Sequence, residues 1–133
     1  MQKQIQQLIE WHTKFQVPFR TEPEPFDDSD VNMANLRLRA RIMKEEVKEW
    51  ETEAIHNADN PARIKELADI LYTLIGTIIT EGYQDQIEQA FDLVHESNMS
   101  KLGDNGLPVK RADGKILKGP NYKEPDLSIL FDG

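Results

Sequence analysis

Two pairs of carboxylates stand three residues apart in segments whose apolar spacing is helical. Glu46 and Glu49 form the first pair, and Glu66 and Asp69 form the second. Residues three apart on a helix share a face, so each pair points in one direction. Asp69 is the only charged residue in the apolar run LADILYTLIGTII, and we expect it to be the most enclosed of the four. Burying a lone carboxylate is costly unless a cation lies beside it.

The four carboxylates suit a hard divalent cation. Two such pairs on neighbouring antiparallel helices would surround a common point. Mg²⁺ and Mn²⁺ prefer oxygen ligands, and Mg²⁺ is often shared between carboxylates, water and substrate phosphates. The arrangement therefore favours metal-dependent chemistry on a phosphate compound. The alternative is a solvated acidic face, in which Lys44 and Lys48 are the ion-pair partners of Glu45, Glu46 and Glu49.

The size, charge and composition of the chain limit its possible functions. It has 133 residues, a net charge of −8 and no cysteine. A chain of this length is expected to form one domain, over residues 1–133, whose core needs no disulfides. The negative charge disfavours binding to a nucleic acid polymer or an anionic membrane. Since we find neither a signal sequence nor an apolar run long enough to span a membrane, we expect a cytoplasmic protein.

Apolar residues recur every three or four positions in four segments, which predicts four helices. The first should end before Pro18, and its apolar line is Met1, Ile5, Leu8, His12 and Phe15. The second should begin after an N-cap at Ser29 or Asp30. Its apolar stripe, about as strict as a coiled-coil seam, is Leu36, Ala40, Met43, Val47, Trp50 and Ala54. A small bundle with such a stripe favours pairing with a second chain.

The third and fourth helices complete the predicted all-α fold, a four-helix bundle over residues 1–102. Asn60 as the cap and Pro61 at the first helical position predict a third helix over residues 61–81. It is apolar almost all round, so it should be the central element. A fourth helix over residues 85–102 should face the bundle along the line Ile87, Phe91, Val94 and Asn98.

The tail, residues 103–133, differs in composition from the helical core. It is dense in glycine and proline and holds five acidic and five basic residues, so it is relatively the basic part of an acidic chain. The pair Asp113-Gly114 lies between short alternating runs, which favours a small hairpin. We expect a short irregular or hairpin tail that covers the substrate.

Four polar side chains near the C-terminus are candidate substrate contacts. Asn98 and Lys101 continue the bundle-facing line of the fourth helix, and Lys118 and Tyr122 lie in the tail. The lysines would supply the positive charge that an anionic substrate needs. For Lys101 the alternative is stabilisation of a helix C-terminus through the helix dipole. For Tyr122 it is packing of the tail on the rest of the protein.

Several motifs together resemble one known family. EEVKE followed by ELAD resembles the EExxE and ExxD pairs of the all-α NTP pyrophosphatases, the MazG-like superfamily. HESNMSKL and DGKILKGPNYKEPDL are similar to the corresponding segments of its phosphoribosyl-ATP pyrophosphohydrolase-like branch. The resemblance covers most of the chain, from Leu36 to Leu127.

The resemblance implies a hydrolase that cleaves a nucleoside triphosphate between the α and β phosphates. The implied metal ligands are Glu46, Glu49, Glu66 and Asp69, for Mg²⁺ or Mn²⁺, with two or more ions when substrate is bound. The ions would neutralise the triphosphate and lower the pKa of a bound water that attacks the α phosphorus. The catalytic set is Glu45, Glu46 and Glu49. Glu45 lies about 100° around the helix from Glu46, which favours an ion-pairing role over proton acceptance.

The resemblance also implies a homodimer, with a tetramer as the alternative, and a substrate such as dUTP or a noncanonical nucleotide. Two other functions compete. A di-iron carboxylate bundle uses Glu-x-x-His pairs on two helices, and Glu53 and His56 form one such pair, for which Asp92 and His95 are the nearest second. A non-enzymatic helical interaction module, in which the acids are only surface, is the third hypothesis.

Overall fold

The computed structural model describes residues 1–56 and 58–131, and over these residues the protein is all-α. Its helices are α1 (Gln2–Lys14), α2 (Asp30–Ile55), α3 (Asn60–Thr80) and α4 (Ile87–Met99), followed by a short 3₁₀ helix (Ser128–Phe131). The described ranges contain no β-strand, and the predicted fold class is confirmed. No helix within those ranges is both long and apolar enough to cross a membrane. The chain forms two compact units, Met1–Asp85 and Gln86–Gly133.

Side-chain caps set where α2 and α3 begin. The Ser29 hydroxyl accepts a hydrogen bond from the Asn32 N–H at 3.3 Å, which confirms one of the two predicted caps. At α3 the predicted cap is wrong by one position, because Asn60 is already helical. Asp59 is the cap, and its carboxylate accepts a hydrogen bond from the Ala62 N–H at 3.1 Å. The helix dipole also stabilises a negatively charged side chain at this N-terminal end.

The core of the first unit lies between α1 and α3. Ile5 and Leu8 of α1 and Ile75 and Ile79 of α3 are buried, and α3 packs against both α1 and α2. Within this unit the central position predicted for α3 is therefore confirmed. His12 is also buried, at 1% exposure, as its place on the α1 stripe favours.

The opposite face of α3 is apolar and exposed. Ile64, Leu67, Leu71 and Leu74, spaced three or four residues apart, are between 45% and 68% exposed. The predicted seam of α2 is similarly half-buried, and its Val47 is 45% exposed. A single chain therefore leaves apolar surface on both helices uncovered.

In the second unit, the tail binds the end of α4 through backbone groups. The Ser97 hydroxyl donates to the Lys123 carbonyl at 2.7 Å, and the Lys123 N–H donates to the Ser100 hydroxyl at 3.0 Å. The Gly119 N–H donates to the Lys101 carbonyl at 2.9 Å. A Cβ at Gly119 would lie 2.5 Å from that carbonyl oxygen, so only glycine fits. The serines of SNMSKL thus hold the KGPNYK segment in place.

Within the second unit, the tail does not cover the line predicted to be buried on α4. Phe91 is 70% exposed and Val94 is 39% exposed, whereas Ser97 is buried. The face covered within this unit is the one that receives the tail, where Ser97 donates to the Lys123 backbone and Ser100 accepts from it. The predicted hairpin is reduced to a single antiparallel bridge between Lys110 and Ile116. Its turn uses Gly114 at a φ of 90°.

Candidate metal centre

Three carboxylates from α2 and α3 converge in the first unit. Glu46, Glu66 and Asp69 each offer an oxygen, and these three oxygens lie within 4.8 Å of one another. Glu46 comes from the middle of α2, and the other two are three residues apart near the start of α3. The helical spacing read from the sequence thus brings the second acid pair and Glu46 of the first pair to one place. Three of the four predicted metal ligands form the cluster.

The cluster is most enclosed at Glu66, not at Asp69. The Glu66 side chain is 12% exposed, whereas the Asp69 side chain is 35% exposed. The expectation that Asp69 is the most enclosed ligand is therefore wrong. The expectation assumed that the apolar run of α3 is buried all round. The run is instead exposed along one face, so apolar neighbours in sequence do not ensure that Asp69 is enclosed.

Two buried oxygens in the cluster have no hydrogen-bond donor. Glu46 Oε2 and Glu66 Oε2 are both inaccessible to solvent, and neither accepts a hydrogen bond from the described residues. Buried polar atoms are almost always satisfied, and each exception needs an explanation. These two carboxylate oxygens lie beside a third acid. A bound cation would take them as ligands and compensate their negative charge.

The electrostatics of the cluster favour a bound positive charge. Burial raises the pKa of Glu46, and repulsion from Glu49, then Asp69 and Glu66, raises it further. Each of these causes opposes ionisation of Glu46, and a metal ion would reverse them. Glu49 is exposed and acts on Glu46 through its charge. Its direct ligation of a metal stays a prediction.

Lys65 is the cation in contact with the cluster. Its Nζ lies 2.8 Å from an Asp69 oxygen and 3.5 Å from a Glu66 oxygen. The hydrogen bond to Asp69 is the main cause that raises the Lys65 pKa. Sequence reasoning named Lys44 and Lys48 as partners of the acids and missed Lys65. The available signal was the Lys65–Asp69 spacing of four residues on one helix.

A groove of about 370 Å³ opens beside the cluster. Its walls are formed by Glu45, Lys48, Glu49, Thr52, Glu53 and Glu66. Glu66 belongs both to this groove and to the cluster, so the groove reaches the cluster at Glu66. Glu45 is exposed on the wall and is not part of the three-oxygen group.

The donor set fits Mg²⁺ or Mn²⁺ better than it fits a di-iron centre. Among the described residues, the only group of three or more potential ligands consists of carboxylates without a histidine. Oxygen-only donors are typical of hard divalent cations. Glu53 lines the groove, but His56 is exposed at the end of α2. The single Glu-x-x-His pair thus adds no ligand to the cluster.

The four candidate substrate contacts all belong to the second unit. The Lys118 Nζ lies 4.8 Å from the centre of the Tyr122 ring, a cation–π contact that holds both side chains together. Lys101 is half-buried, and Asn98 is exposed at the end of α4. The part that these four residues take in substrate binding stays a prediction.

Comparison with known proteins agrees with the carboxylate motifs. No curated protein matches the chain. The family model described as phosphoribosyl-ATP pyrophosphohydrolase matches residues 8–98, which include the whole carboxylate cluster. The match covers well over half of the chain, so this protein belongs to the phosphoribosyl-ATP pyrophosphohydrolase family, whose hydrolases act on nucleotide-like substrates and typically depend on metal.

Proposed function

We propose that this protein is a Mg²⁺- or Mn²⁺-dependent nucleoside triphosphate pyrophosphohydrolase that yields a monophosphate and pyrophosphate. The observation that carries the proposal is the convergence of Glu46, Glu66 and Asp69 within 4.8 Å, with buried oxygens on Glu46 and Glu66 that accept no hydrogen bond from described residues. A family of pyrophosphohydrolases supplies the reaction type.

Glu46, Glu66 and Asp69 would hold the ion, and Glu49, one turn from Glu46, would complete the site when substrate enters. The bound ion supplies charge neutralisation for the phosphates and a water of lowered pKa. The Lys65 ammonium would compete with the ion for the Asp69 carboxylate. Glu45, on the groove wall, would either pair with a cation or accept the proton of the attacking water.

The proposed substrate is a deoxynucleoside triphosphate such as dUTP, or a noncanonical nucleotide, removed in a house-cleaning reaction. The family match favours phosphoribosyl-ATP as a second candidate. Both compounds carry the same α–β phosphoanhydride bond, so the carboxylate cluster serves either reaction. The choice between them depends on contacts to the base and sugar.

A panel of nucleotides, with phosphoribosyl-ATP included, tests the proposal. Each compound is incubated with the protein and Mg²⁺ in ¹⁸O-labelled water. The products are separated, and their masses are measured by mass spectrometry. We expect pyrophosphate and a monophosphate that carries the ¹⁸O label, because attack occurs at the α phosphorus. Orthophosphate as the first product would contradict the cleavage position, and label in the pyrophosphate would contradict attack at the α phosphorus. Glu66→Gln protein serves as the inactive control.

We also propose that the protein is a homodimer, with a tetramer as the alternative. The exposed apolar line of α3, at Ile64, Leu67, Leu71 and Leu74, supports it. An apolar groove of about 770 Å³ adjoins this line between α2 and α3, and Trp50, Ile64 and Leu67 line it. Exposed apolar surface of this kind commonly marks a protein–protein interface.

A further inference from the structure

Arg39 is a buried cation held by neutral acceptors. It is 6% exposed, the most buried residue of α2. Its Nε donates to the Thr77 hydroxyl at 3.2 Å, and its Nη2 donates to the Thr73 carbonyl at 2.9 Å. Arg39 forms no ion pair within residues 1–56 and 58–131. Burial of a charge without an opposite charge is costly, so its place in the fold calls for an explanation.

The interior of α3 is shaped around this guanidinium. A Cβ at Gly76 would lie 2.6 Å from Arg39 Nη2 and 3.1 Å from His12 Nε2. Glycine inside a helix is less favourable than alanine, and the space that it leaves admits the guanidinium. Arg39 therefore meets α1 at His12 and α3 at Gly76. It is the point at which all three helices of the first unit come together.

The register that seats Arg39 is also the register that assembles the acid cluster. Glu46 follows Arg39 by seven positions on α2, and Thr73 follows Glu66 by seven positions on α3. Seven residues are about two helical turns, or about 10.5 Å along each axis. Because α2 and α3 are antiparallel, placing Arg39 against Thr73 places Glu46 against Glu66. Apolar contacts alone would specify this register weakly, since the α2 seam is only half-buried.

We infer that Arg39 is a positioning residue for the metal centre: its two hydrogen bonds to α3 hold Glu46 in register with Glu66 and Asp69. The inference rests on the proposed metal-dependent function. Loss of the guanidinium lets α2 shift along α3, and the carboxylate oxygens then separate. Metal ligands lose affinity when the groups that orient them are removed.

The charge of Arg39, taken alone, predicts the opposite change in metal affinity when Arg39 is replaced, which makes the inference testable. Arg39 is positive, so at this distance its charge repels a bound cation. Removing the charge, with no change in geometry, would therefore tighten metal binding. A role confined to general stability would lower the melting temperature and leave the metal affinity unchanged. The direction of the change separates these three cases.

The test is titration of metal-free protein with Mn²⁺, with free Mn²⁺ followed by its electron paramagnetic resonance signal. Arg39→Met keeps an unbranched apolar stem at this position and removes the charge and both donors. Thr77→Val keeps the Arg39 charge and removes one acceptor, so it also serves if Arg39→Met does not fold. Ile5→Val, in the core on α1, is the control for loss of stability without loss of the α2–α3 hydrogen bonds.

We expect the Mn²⁺ dissociation constant of Arg39→Met to rise about 10- to 100-fold. Thr77→Val should raise it by a smaller factor, and Ile5→Val should leave it unchanged. Wild-type or tighter binding by Arg39→Met, or by Thr77→Val where Arg39→Met does not fold, would overturn the inference. Failure of the wild-type protein to bind Mn²⁺ is a separate outcome. It would overturn the proposed metal centre and, with it, the role of Arg39.

Discussion

The Lys65 ammonium lies 2.8 Å from the Asp69 carboxylate, one turn further along α3. The same ammonium lies 3.5 Å from a Glu66 oxygen, so it contacts two of the three carboxylates in the cluster. Lys65 is well exposed, at 64%, and its side chain is free to leave. It is therefore an exposed counter-charge to the cluster.

Lys65→Gln should tighten metal binding. The Lys65 ammonium competes with a metal ion for Asp69, and the glutamine removes both that competition and a nearby positive charge. We expect the Mg²⁺ or Mn²⁺ dissociation constant to fall about threefold, as suits an exposed ion pair. Isothermal titration calorimetry measures it. Lys3→Gln on α1 makes the same change in net charge away from the cluster, and an equal effect there would contradict the argument.

Substitutions that keep the shape of a carboxylate and remove its charge should show how much each carboxylate contributes to metal binding. Glu66→Gln and Asp69→Asn should each reduce turnover by at least about 100-fold and weaken metal binding. Metal-free thermal stability should stay the same or rise, because each change removes repulsion from the cluster. Glu66→Gln is the sharper of the two, since Glu66 is the more buried.

Glu45→Gln is the matched comparison, because Glu45 lies on the groove wall outside the three-oxygen group. Turnover and metal affinity should both change less than in the Glu66 and Asp69 variants. Loss of activity in Glu45→Gln, with near wild-type behaviour in the other two, would require a site built around Glu45. Metal affinity by calorimetry and melting temperature by circular dichroism complete the comparison.

The sequence was sufficient to predict the parts of this protein that depend on local spacing. The all-α class and the cap at Ser29 follow from patterns within a few residues. The same holds for the pairing of Glu66 with Asp69 on one face. The convergence of Glu46 with that pair required one further assumption, that consecutive helices are antiparallel neighbours.

Features that depend on long-range packing were not predictable in the same way. The burial of Arg39 depends on a space left by Gly76, thirty-seven positions later in the chain. Within the second unit, the covered face of α4 depends on hydrogen bonds that Ser97 and Ser100 form with a tail residue more than twenty positions away. An apolar periodicity reports which residues avoid water, but it does not report which partner covers them.

The free energy of unfolding should depend on His12 below pH 6.5. Burial lowers the pKa of His12, and the charge of Arg39 lowers it further, while the hydrogen bond from Nδ1–H to the Pro18 carbonyl opposes them. The unfolded chain then binds more protons than the folded one below pH 6.5. The contribution of neutral His12 to the free energy of unfolding is fully present above pH 6.5. It is lost as the pH falls toward the pKa of His12 in the folded protein. Each unit of pKa difference corresponds to about 1.4 kcal/mol.

Denaturant unfolding of metal-free protein across this pH range measures the effect. His12→Asn places an amide donor near the position of Nδ1, and it should lower stability at pH 7.5 yet remove this part of the pH dependence. His56→Asn, at an exposed position, is the control and should keep it. An unchanged slope in His12→Asn would assign the pH dependence to other groups.

Leu71→Glu should convert the proposed dimer to a monomer. Leu71 is 46% exposed at the middle of the apolar line on α3, and a carboxylate there would be buried without a partner in any interface that uses this face. Light scattering at micromolar concentration should give twice 15.4 kDa for the wild-type protein and a single-chain mass for the variant. Val31→Glu makes the same chemical change at a position that is 83% exposed, near the start of α2, and should leave the dimer intact. Because the carboxylate cluster lies within one chain, Leu71→Glu should still bind Mn²⁺. A wild-type protein that is already monomeric would refute the proposed interface and leave the proposed metal centre unaffected.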